Sequence, residues 1–138
     1  PHAVISYVPD RFTRCVSDFV AQRRSWGRAF HLRRDASGGW HKTEIPVPLN
    51  AFGRSRIVFD AADNAYVVLP HARIVTASRA SGWTDWTLRF DAAGLNAFGE
   101  VVVDEQRVRS HGVLSVLYQQ RSNGTAPSPI RVVDLRLG

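Results

Sequence analysis

Three kinds of side chain in this sequence can act on a ligand: arginines that hold anions, histidines that move protons, and aromatic rings. Of the 18 basic residues, all but Lys42 are Arg. A guanidinium presents a planar fork that holds two oxygens of a carboxylate, sulfate or phosphate at once. GC-rich coding alone produces the same excess. The arginines are scattered along the chain and form no stripe, which argues against nucleic acid as a partner. The histidines are His2, His31, His41, His71 and His111. No two of them stand at a metal-ligand spacing, and the lone Cys15 makes neither a zinc knuckle nor an internal disulfide. No metal or cofactor is expected. Tyr7, Tyr66 and Tyr118 read first as packing residues, and Cys15 as a small buried side chain.

These residues must be positioned by a small scaffold. The chain has 138 residues, 44% apolar and 22% charged, with a formal charge of +6. Such a composition fits one folded domain or part of one, and excludes bulk disorder. No apolar run reaches the roughly 20 residues a membrane helix needs, so no membrane span is expected. The sequence opens on Pro1-His2, contains no Met and shows no basic-then-apolar leader. It reads as a piece of a longer protein whose targeting signal is not visible.

The elements themselves are short. Val4–Val8, Arg28–Arg34, Trp40–Pro46, Arg56–Asp60, Ala65–Leu69, Arg73–Ser78, Trp86–Phe90, Glu100–Asp104, Val113–Gln119 and Ile130–Leu137 are β-branched or aromatic runs bounded by Gly, Pro, Asn, Asp and Ser. Only Asp18–Arg24 offers a plausible helical turn. The fold class expected is all-β.

An internal repeat refines this. Leu49-Asn50-Ala51-Phe52-Gly53 recurs letter for letter, 46 residues on, as Leu95-Asn96-Ala97-Phe98-Gly99, and Trp40 and Trp86 share the offset. A period of about 40–50 residues carrying four short strands is the mark of a β-propeller blade. The expectation is a propeller fragment of about three antiparallel blades, the C-terminal part of a ring of about seven, within the usual range of 4–8. Residues 1–46 form an incomplete blade lacking its innermost strand, 47–90 a complete blade, and 91–138 a last, three-stranded one. The segments 35–40 and 78–86 resemble degenerate Asp-boxes, with Ala80 where an Asp is expected. In such a fold the ligand face is built from the connections 9–27, 47–55, 70–72, 91–99 and 120–129. The first is the longest and carries Arg11, Arg14, Asp18, Arg23 and Arg24. Long loops on a rigid scaffold are where function concentrates.

Across Gly27–Arg33, Gly53–Ser55, Asp63–Pro70, Ser81–Trp86 and Leu114–Gln120, the sequence resembles the BNR-repeat, sialidase-like propeller proteins of the group that includes ulvan lyases and rhamnose–glucuronate lyases. The resemblance implies a secreted or periplasmic polysaccharide lyase. It would act by β-elimination on uronic-acid-containing glycans, with an acidic polysaccharide or oligosaccharide as partner. That chemistry needs a base for the C5 proton, an acid for the leaving oxygen and a cation on the carboxylate. His31 and His71 are the catalytic candidates so implied. Arg23, Arg24 and Arg54 are the carboxylate clamps, and Trp26 is the stacking residue. Arg54 stands where the next repeat has Glu100. A glycoside hydrolase, a non-catalytic carbohydrate-binding propeller and a protein-interaction propeller remain alternatives. The hydrolase would need two carboxylates roughly 5–10 Å apart, and the expected face offers only Asp10, Asp18 and Asp91.

Overall fold

The computed structural model describes residues 1–9, 16–51 and 53–138. Asp10, Arg11, Arg14 and Cys15 of the Arg-rich connection, and Phe52 of the repeat, lie outside these residues. Ten strands and two short α-helices follow one another along the described chain. They are β1 (His2–Tyr7), α1 (Phe19–Trp26), β2 (Arg28–Arg34), β3 (Trp40–Glu44), β4 (Arg56–Phe59), β5 (Ala65–Leu69), β6 (Arg73–Ala77), β7 (Thr87–Phe90), β8 (Ala97–Val103), α2 (Glu105–His111), β9 (Val113–Gln120) and β10 (Ile130–Arg136). Antiparallel pairing groups the strands into three open sheets, ordered β1-β2-β3, β4-β5-β6-β7 and β8-β9-β10. The fold is all-β, and the middle sheet contains the four strands expected between residues 56 and 90.

Side-chain alternation decides how the sheets stack. In β5, Ala65, Val67 and Leu69 pack with Ala29 and Ile45 of the first sheet, while Tyr66 and Val68 pack with Leu114, Val116 and Tyr118 of the third. The middle sheet is therefore covered on both faces. All five residues of β5 are buried, as a near-continuous apolar run requires. Fully burying a Val or Leu side chain contributes about 1.5–3 kcal/mol, so β5 is the strand on which the stack depends most.

The repeat proves to be a turn device. Asn50 and Asn96 both take left-handed backbone, at φ 48° and 51°, and Gly53 and Gly99 both have positive φ. Asn tolerates that region and Gly has no Cβ to forbid it. At Gly53 a Cβ would stand 2.8 Å from Glu100 Cγ. The Asp-box-like hairpins close through carboxylates. Asp35 accepts hydrogen bonds from Ser37 Oγ and the Gly39 N–H, while Asp85 accepts from Ser78 N–H, Ser78 Oγ and Ser81 Oγ. Asp85 does the work that Ala80 cannot.

Two features depart from expectation. The connection from β8 to β9 is a helix, α2, capped by Asp104 accepting from the Arg107 N–H and ended by left-handed Gly112. And Trp40 and Trp86 occupy equivalent places but unlike surroundings: Trp40 is 62% exposed and Trp86 4%. Trp86 packs edge-on to His31 of the preceding sheet, with ring centroids 5.2 Å apart. Trp40 lies on the side of the first sheet turned away from the middle one, in register with Arg34.

Candidate functional site

Antiparallel order brings the long connections together at one end of the stack. The connections leaving β1, β3, β5, β7 and β9 all emerge there, and the hairpins of Asp35 and Asp85 lie at the other end. Hydrogen bonds tie these loops to one another. Arg73, at the start of β6, donates to the carbonyls of Pro48 and Leu49 and so anchors the segment that carries Arg54. Burial lowers the Arg73 pKa, and Asp91 opposes the shift. The Arg54 N–H donates to Glu100 Oε1 at 2.8 Å. His71 Nδ1 lies 2.9 Å from the carbonyl oxygen of Ala97.

A cleft of about 1130 Å³ opens at this end. One wall is Val4–Val8, the outgoing part of β1 and the residue that follows it. Opposite stand Gly53–Arg56, with Glu100 behind them, and Phe19 and Arg23 of α1 reach in from the side. α1 has no buried residue, so its arginines sit on a surface helix facing solvent and cleft. The structure thus brings Arg23 and Arg54, which are 31 positions apart in sequence, to one cavity. Arg54 is also within 3.5 Å of Glu100 through Nε, and its side chain is 83% exposed. An exposed pair of this kind contributes roughly 0–1 kcal/mol, so a ligand carboxylate can exchange for Glu100 at little cost.

The other nominated residues are placed as follows. Arg24 and Trp26 belong to the same helix but do not line the cleft, and Trp26 is 40% exposed. His71 sits in the three-residue turn Pro70–Ala72 between β5 and β6, with left-handed backbone at φ 65° followed by Ala72 at φ 58°. A carbonyl can only accept, so Nδ1 carries the proton of the His71–Ala97 bond and Nε2 is the basic nitrogen. Among the described residues Nε2 has no hydrogen-bond partner. His71 shares the end of the stack with Arg54 but does not line the cleft.

His31 requires a correction. It is 1% exposed, sealed between the first and middle sheets. Its Nε2 lies 2.9 Å from His2 Nδ1, the two rings stack at 5.1 Å, and Trp86 closes over it. Burial above all, then the His2 and Arg33 charges, lowers its pKa from 6.5 to about 4. The alternation of β2 already put His31 on one face with Ala29 and Arg33; what the sequence did not reveal is that this face is the buried one. No ligand reaches His31 in this fold.

Sequence reasoning also missed three contributors. Arg56 lines the cleft beside Arg54, Arg73 anchors its rim, and Tyr7 lines it with Lys42 Nζ donating to its hydroxyl at 2.9 Å. The Arg-x-Arg spacing of Arg54 and Arg56 was the available signal, since two residues apart on an extended segment lie on one side. Among the described residues that line the cleft, Glu100 is the only carboxylate. No group of three or more His, Cys, Asp or Glu among the described residues is arranged to hold a metal ion. No helix among them is long and apolar enough to cross a membrane. No protein-family model and no curated protein matches the chain.

Proposed function

We propose that the three sheets are consecutive blades of a BNR-repeat propeller, and that the cleft at their loop end binds an acidic polysaccharide or oligosaccharide through the carboxylates of its uronic acids. The convergence of Arg23 and Arg54 on one open cleft, from separate elements, carries this reading. Two guanidiniums lining one cleft can hold successive carboxylates of an extended anionic chain, each by a two-pronged, charge-assisted contact. The Leu-Asn-Ala-Phe-Gly repeat, with left-handed backbone at both Asn50 and Asn96, and the 46-residue step support the blade assignment.

The reaction proposed is β-elimination. Bound at the cleft, a uronate would have its carboxylate charge neutralised by Arg54 or Arg23, which makes the C5 proton more acidic. A base takes that proton, the electron pair forms the C4–C5 double bond, the C4–O bond breaks, and the departing oxygen receives a proton. His71, at the same end of the stack though outside the cleft lining, is the candidate base among the described residues, and the proton it takes is returned to the departing oxygen. A two-carboxylate hydrolase is disfavoured because Glu100 has no second carboxylate beside it in the described lining. Non-catalytic binding is the second reading, favoured by the absence of any histidine from that lining.

The test is titration calorimetry with a defined oligoglucuronate, together with ultraviolet absorbance to detect the unsaturated uronate product. Binding that falls about tenfold or more in both Arg23→Gln and Arg54→Gln, as loss of a charged hydrogen bond of about 1.5–3 kcal/mol implies, supports the cleft. Absorbance that rises with wild type and not with His71→Gln supports elimination. Binding without product selects the non-catalytic reading, and no binding refutes both.

A further inference from the structure

Four asparagines stand in this chain: Asn50, Asn64, Asn96 and Asn123. Three of them precede Ala, and only Asn123 precedes Gly. The difference is chemical. A backbone nitrogen can attack the side-chain amide carbon of the residue before it and close a five-membered ring. A Cβ on the attacking residue screens that nitrogen and narrows its backbone freedom, and glycine has none. Asn123-Gly124 is therefore the pair most disposed to this reaction, provided the fold leaves it open.

The fold leaves it open. Residues 121–129 join β9 to β10 at the end of the stack that also carries the cleft. The base of this connection is fixed. The Gln120 N–H donates to the Pro129 carbonyl at 2.9 Å, and the Arg121 N–H to the Asn96 carbonyl at 2.8 Å. The tip is held by one serine. Ser122 Oγ lies 3.0 and 2.8 Å from the carbonyl oxygens of Gly124 and Ala126, and the Gly124 N–H donates to it at 3.3 Å, a long bond. Every residue from Arg121 to Pro127 is exposed. Gly124 takes φ 129°, with open space where a Cβ would stand. Among the described residues the Asn123 carboxamide has no hydrogen-bond partner. Asn64 contrasts with it: Nδ2 donates to Asp60 Oδ2 at 3.0 Å, and Oδ1 accepts from the Arg79 N–H at 3.1 Å.

We propose that Asn123-Gly124 is a self-modification site, at which the folded protein converts Asn123 to aspartate and isoaspartate. Hydroxide takes the Gly124 amide proton, and the nitrogen attacks Asn123 Cγ. The N–Cγ bond forms, the Cγ–Nδ2 bond breaks, and the departing nitrogen takes a proton from water and leaves as ammonia. One water then opens the resulting succinimide. Cleavage of the Cγ–N bond leaves aspartate. Cleavage between that nitrogen and the Asn123 carbonyl carbon leaves isoaspartate, whose main chain runs through the side chain and is one methylene longer. Either product adds a carboxylate to the loop end and lowers the formal charge of +6 by one.

The test incubates the folded 138-residue chain at pH 8 for days, beside a portion unfolded in guanidinium chloride. Trypsin cuts after Arg121 and Arg131 and so delivers Asn123 in a peptide free of the other three asparagines. The expected result is a gain of one mass unit in that peptide, as two products that chromatography separates, one of them methylated by isoaspartate methyltransferase. The folded chain should convert within about tenfold of the unfolded rate, since an open tip needs no unfolding step before it reacts. The peptides of Asn50, Asn64 and Asn96 should keep their mass over the same days. So should Asn123→Gln, which would need a six-membered ring. A folded rate more than about tenfold below the unfolded one would mean that the loop protects the pair, and overturns the proposal. Conversion of any other asparagine ahead of Asn123 in the folded chain overturns it as well.

Discussion

Acid should unfold this protein through one buried histidine before its carboxylates titrate. His31 is 1% exposed, hydrogen-bonded to His2 and boxed by Trp86, and its pKa falls from 6.5 to about 4. In the unfolded chain the imidazole takes up a proton near pH 6.5; in the fold it resists down to about pH 4. The unfolded state therefore binds more protons across that window, and stability falls as pH is lowered through it. Above pH 6.5 the stabilisation is fully present. At 1.36 kcal/mol per pKa unit the whole window is worth about 3 kcal/mol, of which about 2 kcal/mol is lost between pH 7 and pH 5. The structural cause is desolvation of a cation between two sheets, aggravated by the neighbouring His2 and Arg33 charges. The assay is urea unfolding followed by tryptophan fluorescence at pH 7, 6 and 5, for wild type and His31→Gln. Glutamine keeps a hydrogen-bonding group but does not titrate. Wild type should lose about 2 kcal/mol more than the variant between pH 7 and 5. Equal losses in the two proteins would refute the reasoning.

Three further outcomes are expected. Gly53→Ala should destabilise the fold by about 1–2 kcal/mol, because its φ is 120° and the new Cβ meets Glu100 Cγ; a melting curve checks it, and unchanged stability would contradict the turn geometry. Asp85→Ala should lower the melting temperature while Ala80→Asp does not raise it, since Asp85 already accepts from Ser78 and Ser81; a melt in which Ala80→Asp stabilises would show the hairpin to be held otherwise. Oligoglucuronate affinity should weaken steadily as salt rises from low to physiological strength, because exposed guanidiniums are screened over about 8–10 Å; salt-independent binding in calorimetry would remove the arginines from the contact.

Much of the scaffold could be read from the residues. The runs Arg28–Arg34 and Ala65–Leu69 are strands with the bounds expected, because their β-branched and aromatic content and their flanking turns are local properties. Helix α1 was legible as a turn around Asp18–Arg24. Helix α2 was not: its signals are a capping Asp104 and a closing Gly112, and neither produces a period of 3.6 in a segment of seven residues. In the site, Arg23 and Arg54 were legible as anion-binding types on the right connections. His31 was misassigned because composition tells which face a strand residue shares, not whether that face is wet.

Strand alternation, the 46-residue step and the residue types able to clamp an anion were determined by the sequence alone. They are set by neighbours within a few positions, or by identity between repeats. The tertiary structure decided the rest: Trp86 is buried and Trp40 exposed, His31 sealed and His71 peripheral, and Arg23 brought to one cleft with Arg54. These outcomes depend on which sheet lies against which. A sheet has two faces of the same chemical character, and only the packing of a third body determines which of them loses its water.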